Sequence, residues 1–335
     1  MKRATIKDIA NLVGVSISTV SRALKDHPDI GAELRGKIKE VALALNYRPN
    51  MAAVQLRKQK SNLIGLIYPE AHMFFFPSVI KGISEVVQKQ GYKLLVLQSN
   101  ENYEQEIENV RICLDNGVEG LLISITKETK NLSHLEELKN VDIPVVLIDK
   151  VLENNQFDEI IIDDAKATRM CTEYLIEKGC RRILGLFGNP NMVITAKRLE
   201  GFKQVMAKQN EGQMIVSQHN FVGNTFDTWQ QLERIYPEFK PDGIFAMSDE
   251  IMAGVLPVLK RLNVNIPNEC SIICMSDGYL PKILDPQVTF LHHDGFALGK
   301  LAASHLIDKI QNGDAQDVAR HILLPIELVI GNSTR

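Results

Sequence analysis

Seven consecutive residues, Ser16-Ile17-Ser18-Thr19-Val20-Ser21-Arg22, carry four hydroxyls and one guanidinium. Short hydroxyl side chains bond to phosphates or base edges, and an arginine can offer two donors to O6 and N7 of guanine. Small residues also let a helix come close to the floor of the DNA major groove. A second set of chemical groups lies far downstream. HMFFFPS (72–78) gathers aromatics after an apolar run, and TAKRLEGF (195–202) places Arg198 early in a helical stretch. Aromatic faces stack on sugar or base rings, and a guanidinium bridges vicinal hydroxyls or grips a carboxylate. Phe75 and Phe76 could equally be core packing, and Arg198 could be a surface ion pair with Glu200 or another neighbour. His292-His293-Asp294 invites a metal or acid–base reading. Adjacent residues on a strand point to opposite faces, so the two rings do not easily reach one ion, and Asp163-Asp164 meets the same objection. With no HExxH and no GxSxG in the sequence, no catalytic residue, metal or cofactor is expected, and the chain is not expected to be an enzyme.

The hydroxyl-rich stretch needs a helix, and the surrounding residues supply one. Thr5 suits an N-cap with Asp8 as its box partner, and Ile6, Ile9, Ala10 and Val13 come after it at helical spacing. Gly14 ends that helix. Ser16 can cap a second one running to about Leu24, with Val20, Ala23 and Leu24 buried. A third, over about 32–45, buries Leu34, Ile38, Val41 and Leu45. Two short helices around a glycine turn, with a supporting third, form a helix-turn-helix. The alternative is a small three-helix bundle with a solvated Ser/Thr face. Charge favours the first reading: residues 1–60 hold 12 Lys/Arg against 5 Asp/Glu, a balance of +7, so the total of −3 leaves −10 for the rest. Residues 46–60 link this head to the remaining 275 residues. Pro49 suits a first helical turn, but Asn50 to Lys58 makes barely two turns and is too short to be stable alone.

The second set of groups needs a scaffold with loops converging on a cleft. Apolar runs at 62–69, 92–99, 120–124, 144–149, 182–188, 243–248 and 271–276 alternate with amphipathic stretches such as 77–91 and 165–179. That alternation predicts parallel sheets covered by helices on both faces, and about 270 residues of it suits two lobes around a cleft. Ligands in such sheets sit at strand carboxyl ends. No GxGxxG comes after the first strand and no P-loop occurs, so a nucleotide cofactor is not indicated. The chain has 335 residues, 45% hydrophobic and 24% charged, as for a soluble globular protein of two or three units. No membrane-spanning run and no secretory signal are evident. Five cysteines (Cys113, Cys171, Cys180, Cys270, Cys274) without a CxxC pair fit reduced thiols in the cytoplasm.

TIKDIANLVGVSISTVSRAL, continued by NYRPNMAAVQLRKQKSNLIGLIYP, closely resembles the LacI/GalR family of bacterial transcription regulators, and the resemblance extends to the C-terminus. It implies an all-α helix-turn-helix head (1–48), a hinge helix and linker (49–61), and a two-lobed periplasmic-binding-protein-like α/β body (62–335) with two doubly wound parallel sheets. The N-lobe would be about 62–161 and 291–321, and the C-lobe about 162–290 and 322–331. Ile17, Ser18 and Arg22 would read bases; Thr5, Ser16, Thr19, Ser21 and Asn46 would contact the backbone. Asn50, Ala53 and Leu56 of the hinge would lie in the minor groove, with Leu56 wedged between base steps.

The same resemblance implies an effector site at Phe75, Phe76, Asp163, Arg198, Phe221, Ser248, Ser276, Asp277 and His293. Ser248 stands where the family commonly has asparagine, and Ser276 where many members have an acid. With Arg198 and fewer carboxylates, an anionic ligand such as a sugar acid becomes an option beside a neutral sugar. The implied function is a cytoplasmic, homodimeric regulator, in sense a repressor, that binds near-palindromic double-stranded operator DNA under effector control, with no membrane partner. The chain ends without leucine heptads, which favours a dimer over a tetramer. Alternatives are a sugar-binding protein with no regulatory role, or the same regulator with a corepressor or purine-type ligand.

Overall fold

The computed structural model describes residues 4–47, 61–71, 74–189, 192–208, 212–216, 226–313 and 319–335. The chain divides into two compact units, Met1–Ser61 and Asn62–Arg335.

The first unit contains α1 (Ile6–Val13), α2 (Ile17–Ala23) and α3 (Ala32–Ala44). Thr5 and Asp8 make the reciprocal capping box that opens α1, and Gly14 closes it at φ +78°, a left-handed conformation that costs glycine little. Ile9, Ala10, Val20, Ala23, Ile30, Ile38 and Ala42 form the buried core, with Leu24, Leu34, Val41 and Leu45 packed at its edge.

The second unit holds two six-stranded sheets. The first is built from β1 (Leu63–Tyr68), β2 (Lys93–Gln98), β3 (Gly120–Ile123), β4 (Val145–Ile148), β5 (Asp158–Ile161) and β11 (His321–Leu323), in the order β11-β5-β4-β3-β1-β2. The second comprises β6 (Ile183–Phe187), β7 (Gly212–Val216), β8 (Gly243–Ala246), β9 (Ser271–Ser276), β10 (Thr289–His292) and β12 (Glu327–Val329), in the order β12-β10-β9-β8-β6-β7. Every pairing is parallel except β10 with β12. β1, β3, β4, β6, β8 and β9 are apolar and almost wholly buried, as strands covered on both faces must be. The connecting helices are α4 (Phe75–Lys89), α5 (Tyr103–Asp115), α6 (Ser133–Lys139), α7 (Asp164–Glu177), α8 (Val193–Met206), α9 (Phe226–Phe239), α10 (Asp249–Arg261), α11 (Tyr279–Ile283) and α12 (Gly295–Asn312).

The chain leaves the first sheet after β5, returns after β10, and leaves again between β11 and β12. The later two passages fall a few residues beyond the positions implied by resemblance, because β10 runs to His292 and β11 to Leu323. α4 and α12 approach closely through paired glycines: a Cβ on Gly82 would lie 2.2 Å from the Phe296 carbonyl, and one on Gly299 2.2 Å from that of Val79. In the other lobe Gly201 plays this part, with its would-be Cβ 2.2 Å from the Ala165 carbonyl.

Candidate functional site

In the head, α2 is capped from within. Ser16 Oγ accepts from the Thr19 amide at 3.1 Å and lies 2.7 Å from Ser18 Oγ and 2.8 Å from Thr19 Oγ1. Part of the hydroxyl density therefore organises the helix start. Thr5 is likewise engaged, its amide donating to Asp8 Oδ2 at 2.8 Å. On the helix itself Val20 and Ala23 are buried. Ile17 and Ser21, and Ser18 and Arg22, are i,i+4 pairs and so share the opposite surface. Ile17 is 47% exposed and presents an apolar side chain among the hydroxyls of this surface. Ser18 is exposed, while Ser21 and Arg22 stand at the rim of the same surface. Arg22 Nη1 has a loose ion pair with Asp29 at 3.9 Å. Asn46, just past α3, takes φ +50°. Asn50, Ala53 and Leu56 lie outside the described residues.

In the body, a cavity of about 180 Å³ opens where the carboxyl ends of the two sheets meet. Phe75, Phe76, Arg198, Ser248 and His293 line it. Asp163, Ser276 and Asp277 do not. Asp163 caps α7 by accepting from the Lys166 amide at 2.8 Å. Ser276 accepts from the Gly278 amide at 2.9 Å, and Asp277 accepts from Ser78 Oγ of the first lobe at 2.7 Å. Phe221 is outside the described residues. The cavity also recruits groups that the sequence reading did not assign to it: Glu70, Glu101, Lys127, Asp149, Lys150, Asn189, Thr195, Asp249 and Glu250, with Met192, Met247 and Met275. Most of these sit within a few residues of a strand's carboxyl end, which is the signal that could have found them.

The electrostatics correct the idea of a carboxylate-poor pocket. Arg198, 4% exposed, donates from Nε to Asp164 Oδ1 at 2.7 Å and from Nη1 to the Met247 carbonyl at 2.6 Å. Its partner is thus the buried Asp164 rather than Glu200, whose carboxylate accepts from Gln204. Lys150 pairs with Glu101, which also accepts from the Lys127 amide at 2.8 Å. Among the described residues, five acids and three cations line the space. Burial pushes the Asp149 carboxyl up to about 6, against the pull of Lys150 and Arg198. Burial pushes Asp249 up to about 7, although the Ser276 hydroxyl supports its charge. His293 is driven down to about 3 by burial, with the positive charge of Arg198 adding to it, so its ring is neutral near pH 7. Phe75 packs on that ring at 5.0 Å between centroids and Phe76 stacks on Tyr68 at 5.5 Å, so both phenylalanines have neighbours in the fold as well as a place on the wall. The His292 Nε2 is 2.9 Å from the Asp277 carbonyl, away from any cluster of metal ligands among the described residues.

A helix-turn-helix unit and a two-lobed α/β body of periplasmic-binding-protein type, joined in one chain, define a class of ligand-binding regulators. The sequence matches "Bacterial regulatory proteins, lacI family" over residues 5–50 and "Periplasmic binding proteins and sugar binding domain of LacI family" over residues 61–331, so the chain belongs to the LacI family. Among its relatives is the HTH-type transcriptional repressor PurR of Vibrio atlanticus, 27% identical over 93% of both chains. The ribose operon repressor of Halalkalibacterium halodurans is 27% identical over 99% of this chain and 97% of its own. Catabolite control protein A of Priestia megaterium is 28% identical over 99% of each. In fold the chain is similar to the lac repressor dimer bound to operator and an anti-inducer, with TM-score 0.85, 21% identity and 99% of both chains covered. No helix among the described residues is long and apolar enough to cross a membrane.

Proposed function

We propose that this chain is a cytoplasmic transcriptional repressor that binds a near-palindromic operator as a homodimer, without enzymatic activity, and that a small molecule in the body's cavity controls its DNA affinity. The observation that carries this reading is the surface of α2. Ile17 and Arg22 project from a helix whose cap and buried side are complete without them. In a major groove the isoleucine can meet a thymine methyl and the arginine a guanine edge. Thr5, Ser16, Thr19, Ser21 and Asn46 would then face the phosphates, and Asn50, Ala53 and Leu56 the minor groove. The symmetry of the dimer would match that of the operator.

The effector is proposed to be a hydroxyl-rich molecule of sugar type that carries no negative charge. Two of the three cations on the described wall already hold carboxylates, and acids outnumber cations there. This arrangement supports a neutral sugar over a sugar acid. Ligand binding would alter the angle between the lobes and thereby operator affinity, with DNA altering ligand affinity by the same factor. Footprinting on the DNA upstream of the protein's own gene, with and without a panel of sugars, tests this. Protection of a symmetric site that a sugar strengthens or relieves is expected; no protection at any ligand concentration would leave only a binding protein.

A further inference from the structure

Among the described residues, two deeply buried polar atoms in the cavity wall have no hydrogen-bond partner: Asp249 Oδ1 and His293 Nδ1. Their residues are only 5% and 8% exposed. Leaving such atoms unpaired is costly, so they mark places where a ligand can supply what the protein does not. Their positions are set by the sheet. Asp249 stands just beyond β8 and His293 just beyond β10, and β9 runs between these strands. Neighbouring strands lie about 4.8 Å apart, so the two backbones are separated by about 10 Å, which is enough for one ring-sized ligand to be met from two sides. Ser276, at the end of β9, supports the Asp249 carboxyl from one side and receives the His293 amide on its carbonyl at 3.0 Å. The acid absent at 276 is therefore compensated one strand away, on a carboxyl that Ser276 helps to hold.

We infer that Asp249 determines which ligands enter the cavity: its free oxygen takes a hydrogen bond from a hydroxyl or amino group of the ligand, and its negative charge turns carboxylates away. The inference rests on the cavity being the effector site. The groups around Asp249 agree with this choice. Glu250 is next to it on α10, Asp277 adds negative charge from the loop after β9, and Cys274 lies near it as a neutral thiol. The same wall holds Asp149, the neutral His293, and Arg198, whose guanidinium is already held by Asp164 and by the Met247 carbonyl two residues before Asp249. Acids and hydrogen-bond donors act most strongly on the Asp249 carboxyl, and its Oδ1 has no partner among the described residues, so a donor on the ligand can take that place. His293, neutral, can accept from or donate to the same ligand from the opposite side.

Binding should therefore depend on pH. A donor stabilises the ionised carboxylate, so affinity should fall as pH drops through about 7, the region where the Asp249 carboxyl titrates in the empty site. For a neutral aldose the loss between pH 8 and pH 6 should be about tenfold. The test uses the full-length chain, thermal shift and isothermal titration, and a panel of aldoses, their 2-amino-2-deoxy derivatives and the corresponding uronic acids. At least one aldose or amino sugar is expected to raise the melting temperature while its uronic acid does not. A hydroxyl contact gives binding to the aldose and an amino contact gives binding to the amino sugar alone. The pH step should vanish in Asp249→Asn and persist in Asp149→Asn. A uronic acid binding more tightly than its aldose, an unchanged pH step in Asp249→Asn, or no response to any probe would overturn the inference. Should Asp249→Asn fold poorly, the Asp149→Asn profile decides the matter, because a pH step that survives there does not come from Asp149, and its disappearance there would overturn the inference. Retained operator binding alongside such a failure would sink this inference alone, whereas loss of all sequence-specific DNA binding would sink the parent reading.

Discussion

Arg22→Ala isolates the base-reading role proposed for α2. The arginine side chain is half exposed, and its ionic neighbour, Asp29, is 3.9 Å away with 61% of its side chain in solvent. Such an exposed pair contributes about 0–1 kcal/mol, so the head should stay folded without it. The core beneath, Val20 and Ala23, is untouched. A bidentate contact with guanine is worth about 1–3 kcal/mol of discrimination, or roughly five- to 150-fold in Kd. A dimer on a symmetric site incurs the loss twice. Fluorescence anisotropy at fixed salt, with operator and scrambled duplexes side by side, gives both terms. Operator affinity should fall by about 2–6 kcal/mol for the two contacts together, scrambled-duplex affinity much less, and preference at one base pair per half-site should relax. Equal losses on both duplexes, with a salt slope reduced by about one, would show that Arg22 touches only phosphate and would refute the assignment.

Three further outcomes are expected. Ser16→Ala removes the oxygen that accepts from the Thr19 amide, and should lower the stability of the head by about 1 kcal/mol in a denaturant titration. Gly299→Ala drives a Cβ toward the Val79 carbonyl, which is rigid backbone, and should destabilise the body by about 1–3 kcal/mol, visible as a lower melting temperature with head stability unchanged. His293 is buried neutral with its folded value lowered to about 3, below the ordinary 6.5, so its contribution to stability is lost as pH falls from 6.5 toward 3. His293→Gln should therefore lose less stability than the wild type between pH 6.5 and pH 4 in thermal melts; identical acid sensitivity would show that the imidazole is not a source of it.

The head is legible in the sequence because its signals are local. A capping pair at Thr5 and Asp8, a left-handed glycine at 14 and a serine cap at 16 each act within four residues, and each does so in the structure. Six of the seven apolar runs become strands for a related reason: a strand covered on both faces must be apolar throughout, so β1 and β9 announce themselves, while the seventh becomes the partly exposed edge strand β2. β5 is hidden because it begins with two acids. Asp158 and Glu159 are nevertheless buried, since Asp158 is met by His305, Lys309 and the Arg320 amide, and Glu159 by His321. Those partners are about 150 residues away in sequence, and no window of pattern reading reaches them. β11 and β12 are only three residues long, and β10 mixes two apolar residues with a threonine and a histidine, so none of them stands out. The cavity is partly legible for the same reason. Residue chemistry points to Phe75, Phe76 and Arg198 and the family resemblance adds Ser248 and His293, whereas Asp149 and Asp249 need knowledge of which strand ends lie together. The sequence marks Arg198 as unusual, but only the folded chain shows that Asp164 occupies part of its guanidinium.

Selection from a pool of random-sequence duplexes by the purified full-length chain tests the central claim most directly. The expected result is enrichment of a symmetric site of two half-sites at physiological salt, lost when Ile17 and Arg22 are both replaced by alanine. A pool that stays random after repeated rounds, or one enriched equally by the double variant, would contradict the reading of α2 as the surface through which this protein recognises DNA.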